Sequence, residues 1–159
     1  MAANEPRTTD ELTGEYLSFI AGKLLADRSA RVTGFHLIPD PFEFPRFGDK
    51  RFYEIPFTYS GANGGGRSTI ILRVLPKMDA VMMITGDTEH RELKAFETGL
   101  YNLVPKSFHV PYVHVIHNEE REQYWAFLED VRPQTAALGM HAALPDEVIR
   151  TILSHLAEF

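Results

Sequence analysis

RFYEIPFTYSGANGGGRSTIILRVLP, residues 51–76, is the stretch on which the fold turns. Its centre, GANGGGRST at 61–69, is one residue short of a phosphate-binding loop. Gly61, Gly66 and Ser68 fit that pattern, and Arg67 stands where it has a lysine. Such a loop works because a strand enters it and a helix leaves it, so that backbone N–H groups and the helix N-terminus face the anion. Here both flanks, RFYEIPFTY and STIILRVL, are aromatic and β-branched, and Pro76 follows too soon for a helix. Strand, glycine-rich turn, strand reads as a β-hairpin over roughly 51–59 and 67–75, joined by a long, flexible loop. The glycines are then turn residues, not a nucleotide cradle.

The composition narrows the remaining possibilities. A chain of 159 residues with 44% apolar side chains has the size and core of one globular domain. A net charge of -6 leaves no basic surplus for a phosphate backbone, so nucleic acid is not an expected partner. The absence of cysteine excludes disulfides, thiol nucleophiles and thiolate zinc sites, and it favours the cytoplasm. The polar start MAANEPRTTDEL does not resemble a secretory signal, and apolar runs such as IILRVL are too short to span a bilayer, so no membrane association is expected.

Outward from the hairpin, Leu12, Tyr16, Ile20 and Leu24 mark a one-sided helix over 9–26, with Thr9 or Asp10 as its cap. RVTGFHLIP (31–39) reads as one short strand, and PDPFEFPRFGDK (39–50) as a loop broken by three prolines. AVMMIT (80–85) is a short apolar segment or a helical turn. A helix capped by Asp87 or Thr88 follows, with Leu93, Phe96, Leu100, Leu103 and Val104 as its stripe and Pro105 as its end. VPYVHVIH and QYWAFLEDV flank the polar turn NEERE as a second hairpin. A last helix begins at Leu144-Pro145-Asp146, with Val148, Ile149, Ile152, Leu153 and Leu156 on one face. Helix, three strands, helix, two strands, helix is an α+β chain with a five-stranded, largely antiparallel sheet.

Three features carry possible chemistry. Arg73 interrupts IILRVL, a strand apolar on both faces, so it either finds a buried partner or reaches water at a sheet edge. Glu92, on the helix after the hairpin, is either a solvated carboxylate or that partner. The strand YWAFLEDV ends abruptly in two acids, where backbone groups are free for a planar ligand or simply reach the surface. His114 and His117 lie three apart on a strand and point to opposite faces, a geometry that does not suit one metal ion. No cluster has metal-ligand spacing, and no Gly-x-Ser-x-Gly marks a nucleophile elbow.

Taken in order, Arg73 in IILRV, Glu92 in HRELKAFETGLYNLVP and the strand end FLEDV resemble the N-terminal lobe of small-molecule kinases related to aminoglycoside phosphotransferases and choline kinases. The ecdysteroid-kinase-like branch is the nearest in flavour, and PDEVIRTILSHLAEF is similar to the helix that leads into its second lobe. The resemblance implies a helical segment at 1–30, a lobe at 31–131, and a linker and helix at 132–159. It implies ATP as ligand. Arg73 takes the place of the strand lysine that touches the α- and β-phosphates, and Glu92 that of the glutamate holding it. Leu128, Glu129, Asp130 and Val131 fall at the hinge, whose backbone meets the adenine edge, with Ile71 and Leu75 as part of the pocket roof.

The sequence departs from this pattern in two places. Arg replaces the commoner Lys, and the first turn, PDPFEFPRFGDK, holds only Gly48. No His-Gly-Asp-like or Asp-Phe-Gly-like segment occurs. Mg²⁺ is thus expected only together with a C-terminal catalytic lobe, and the chain alone is not expected to transfer phosphate. A non-catalytic module that binds or self-associates through the exposed lobe face is the alternative reading. An α+β domain holding an apolar ligand between helix and sheet is a third.

Overall fold

The structure is a computed structural model that describes residues 5–41, 50–78, 80–87, 89–106, 108–134 and 145–157. The first turn expected to cover phosphates, with Gly48, lies mostly outside these residues. Helix α1 (Gly14–Leu24) precedes strands β1 (Arg31–Phe35), β2 (Ile38–Pro39), β3 (Arg51–Gly61) and β4 (Gly64–Pro76). Helices α2 (Ala80–Thr85) and α3 (Arg91–Glu97) follow, then β5 (Tyr112–Asn118), β6 (Gln123–Glu129) and α4 (Asp146–Leu156). The strands form one antiparallel sheet in the order β1-β3-β4-β6-β5, with β2 also on β3. The α+β class is as expected, but the sheet has six strands rather than five.

The additional strand has a local cause. β1 and β2 lie along β3 in one register, with Phe35 opposite Phe57 and Ile38 opposite Glu54. That register sets His36 opposite Pro56. His36 N–H donates to Pro56 O at 3.4 Å, but proline has no N–H to return, so the ladder breaks there. The single strand expected over 31–39 is therefore two.

β4 is the central element and is covered on both sides. Ile70, Leu72 and Val74 join Trp125 and Phe127 of β6 beneath Leu17 and Ile20 of α1. Leu75, with Ala126 and Val115, packs under Leu93 of α3 on the opposite face. α1 also guards the sheet edge, because Ser18 Oγ donates to Gly14 O at 2.6 Å and accepts from Val32 N at 2.8 Å. Its cap is Thr13, which accepts from Tyr16 N at 3.1 Å, rather than Thr9 or Asp10, which lie in a preceding 3₁₀ turn. No helix among the described residues is long and apolar enough to cross a membrane.

Two further expectations are corrected. The stripe of the helix after the hairpin does not run to Val104. Thr98 caps α3, Gly99 takes a left-handed φ of 73°, and Leu100 and Leu103 turn out to solvent in a short 3₁₀ segment. The glycine-rich segment is also not a long loop. β3 and β4 run through it to Gly61 and Gly64, leaving only Ala62 and Asn63 as the turn. Gly64, at φ 104°, supplies the conformation that this turn needs.

The turn is docked on the α1–β1 connection. Ser29 Oγ accepts from Ala62 N at 2.7 Å and donates to Asp27 Oδ1 at 2.6 Å. Hydrogen bonds from the Ser29 hydroxyl and N–H, and then from the Asn63 and Ala62 N–H groups, hold the Asp27 carboxyl below its usual range. The turn amides thus do face an anion, but the anion is a carboxylate of the chain itself. Gly61 allows the approach, since a Cβ there would lie 2.6 Å from Asp27 Oδ2.

Gly61→Ala is expected to destabilise the fold by about 1–3 kcal/mol through this overlap. In an Asp27→Ala background most of the penalty should vanish, as read by urea denaturation of the four proteins in the double-mutant cycle. Equal penalties in both backgrounds would show that the close approach is not what requires glycine.

Candidate functional site

On the α3 face of β4 the alternation places Arg73 between Ile71 and Leu75, flanked by Phe52 on β3 and Ala126 on β6. Ile71 and Leu75 are both buried. A guanidinium there cannot remain without a counter-charge. α3 supplies one. Arg73 Nη2 lies 2.6 Å from Glu92 Oε1, with side-chain exposures of 16% and 38%. The structure therefore brings the two sequence candidates into direct contact, and the short helix is positioned for it at both ends. His90 Nε2 lies 2.9 Å from Pro76 O at its start, and His117 pairs with Glu97 at its end. The N-cap of α3 is His90, at a left-handed φ of 48° and without a side-chain cap bond, rather than the expected Asp87 or Thr88. Asp87 Oδ1 instead accepts from Arg91 N at 3.1 Å, and Thr88 lies outside the described residues.

The sequence reading missed a third member of this group, Tyr112. Strict alternation along β5 would direct it to the α1 face together with His114. The register shifts between them, because Tyr112 faces Leu128 while His114 faces Phe127. That bulge at Val113 turns the Tyr112 ring to the α3 side. There Arg73 Nη1 donates to its hydroxyl at 3.4 Å, and Phe96 and Tyr101 pack on the ring at 5.6 and 5.8 Å. A Pro-Tyr-Val sequence carries no signal for a bulge. His114 and His117 do end on opposite faces, against Phe19 and Glu97 respectively.

The electrostatics follow from this packing. Burial raises the Glu92 carboxyl, but the Arg73 hydrogen bond and charge, the Tyr112 hydroxyl and the charge of Lys50 outweigh it, and the net shift is downward. Burial and then the Glu92 charge raise the Tyr112 phenol, which stays neutral. Arg73 Nε is buried and has no hydrogen-bond partner among the described residues. An unsatisfied donor on a buried cation is costly.

The four hinge candidates separate. Leu128 packs on the α3 face beside Ile71. Glu129 sits on the other face, with its carboxylate 2.9 Å from His109 Nε2 and its N–H bonded to Pro111 O at 2.8 Å, so that this N–H is not available to an adenine. Asp130 and Val131 lie beyond the last ladder pair, Ile70 with Glu129. Asp130 is held by Arg132 through Nε and Nη2 at 2.8 Å each, and Arg132 Nη2 also reaches Glu54 on β3 at 2.9 Å. The Arg132 side-chain hydrogen bond holds Asp130 below its usual range against the effect of burial. Among the described residues, no group of three or more His, Asp or Glu is placed to hold a metal ion.

Glu92→Gln is expected to cost about 1–2 kcal/mol in urea denaturation, a solvent-screened fraction of the cost of breaking a fully buried pair. The folded-state pKa of Glu92 is depressed. Its contribution is thus complete above the unfolded value of about 4.3 and is lost as pH falls through the folded value. The gap between wild type and Glu92→Gln should therefore narrow on acidification below about pH 4. A gap that stays constant would mean that the charge of Glu92 is not what stabilises. Comparison of the chain with protein-family models, with curated proteins and with solved structures gives no match in any of the three.

Proposed function

We propose that this domain is the ATP-binding N-lobe of a kinase that phosphorylates a hydroxyl group of a small molecule, with phosphoryl transfer completed by a C-terminal lobe. The observation that carries the reading is the Arg73–Glu92 pair at 2.6 Å, formed between β4, the second strand of the hairpin, and α3. β6 lies beside β4, so the segment that follows β6 borders the same sheet. By register, Asp130 falls level with Thr69, four residues before Arg73. Four residues at about 3.3 Å each give roughly 13 Å, a span that an extended nucleoside diphosphate covers.

In this reading Arg73 holds the α- and β-phosphates, and Glu92 fixes the guanidinium. Backbone groups of Asp130 and Val131 meet the adenine edge. Arg132 pairs with both Glu54 and Asp130 and offsets one of their two charges, which weakens their repulsion of a polyanion. Magnesium would be held mainly by the second lobe. A second reading, a non-catalytic module that self-associates, is favoured by apolar side chains left in solvent: Leu103 at 80%, and Ile149, Ile152 and Leu153 on α4.

Titration calorimetry of the full chain with ATP and ADP tests the first reading. Binding is expected, and Arg73→Met should weaken it at least about tenfold, or ~1.4 kcal/mol, with Arg73→Lys in between. A folded chain that ignores both nucleotides, or an Arg73→Met protein that binds them as well as wild type, removes the proposal. Sedimentation across a wide concentration range tests the second, since a strict monomer would leave no self-associating face.

A further inference from the structure

The α1 face of the sheet carries another charged cluster, on the opposite side from Arg73. Lys23 and Phe19 are one helical turn apart on α1, and His114 of β5 lies beneath them. Lys23 Nζ is 3.0 Å from His114 Nδ1 and 4.5 Å from the Phe19 ring centroid. The imidazole meets Phe19 edge-on at 5.2 Å and stacks on Phe127 at 6.4 Å, so its orientation is set by two aromatic neighbours. An ammonium has only donors, so Nδ1 must be the accepting nitrogen and the ring proton sits on Nε2. Burial, then the charge of Lys23, pushes His114 down to about 4, and burial lowers Lys23 as well. Lys23 is nevertheless solvent-exposed. Lys77 and Lys94 instead pair with the carboxylates of Glu122 and Glu89. Lys23 also borders a groove between α1 and β1 that holds Arg28 and Arg31 and, among its lining residues, a single acid, Glu15.

We propose that Lys23 is an acyl-acceptor site for small acyl phosphates, with His114 Nδ1 as the proton acceptor. Once the Lys23 ammonium has lost a first proton to water, its free amine attacks the acyl carbon and a C–N bond forms. The C–O bond to phosphate breaks, and phosphate leaves with the electron pair. The proton released from nitrogen passes to Nδ1, 3.0 Å away, and from there to water. The products are Nε-acyl-lysine and inorganic phosphate. The surrounding cations suit an anionic donor and its departing phosphate, and acylation would remove the positive charge over Phe19.

The test treats the full chain with acetyl phosphate near neutral pH and follows each lysine by peptide mass spectrometry. Lys23 is expected to be acetylated at least about tenfold faster than Lys77 or Lys94, less than the roughly 100-fold of a base matched to neutral pH because burial leaves His114 a weaker base. His114→Phe keeps an aromatic ring between Phe19 and Phe127 and removes the acceptor, and it should bring Lys23 down to the rate of Lys77. Lys77 and Lys94 serve as internal fold controls. If His114→Phe unfolds the chain, seen as faster labelling of every lysine, the wild-type ratio decides alone. A wild-type Lys23 no faster than Lys77, or a folded His114→Phe protein in which Lys23 keeps its lead, overturns the proposal.

Discussion

Everything in this domain depends on β4 being buried on both faces. Side chains alternate across a strand, so a strand in the middle of a two-sided sheet needs apolar residues at nearly every position. Ile70, Leu72 and Val74 satisfy α1, and Ile71 and Leu75 satisfy the α3 side. One position breaks the rule, and the break organises its surroundings. Arg73 forces the α3 side to provide a carboxylate, and Glu92 does so. It also makes a hydroxyl acceptor useful there, which the bulge at Val113 delivers as Tyr112. A buried ion pair is a poor source of stability in itself. Its value here is positional, because it fixes how α3 sits on the sheet.

The glycine-rich turn illustrates how composition and mechanism diverge. Its amides do serve an anion, as in a phosphate-binding loop, but Asp27 of the α1–β1 connection supplies it. Satisfying those groups internally ties the far end of the hairpin to the end of α1. A second closure lies at the C-terminal end of β6, partway along β4, where Arg132 links Asp130 to Glu54 across that strand. Both devices place a side chain from a connection against groups at a strand end.

The domain carries its chemistry on separate faces. The Arg73 group lies under α3, and the Lys23–His114 pair lies under α1, with β4 and β6 between them. A ligand at one site has no direct contact with the other, so variants at either can be read independently.

The local chemistry of the chain determined a good deal by itself. The β-branched flanks of GANGGG specify a hairpin, the spacing of Leu12, Tyr16 and Ile20 specifies a helix, and a lone Arg in IILRVL specifies a need for a partner. Those signals are periodicities and single-residue demands, which act within a few positions. Tertiary structure decided the rest. The split of the first strand depends on Pro56, twenty residues after His36. The Tyr112 hydroxyl meets Arg73 across a separation of 39 residues, and no local preference of Pro-Tyr-Val announces a bulge. The stripe through Leu100 and Leu103 was legible but misleading, because Gly99 ends α3 in a left-handed turn and the apolar residues beyond it lose the sheet. Pairing across the sheet and docking of connections are set by which groups meet in space, and that is fixed only when the whole chain has closed around β4.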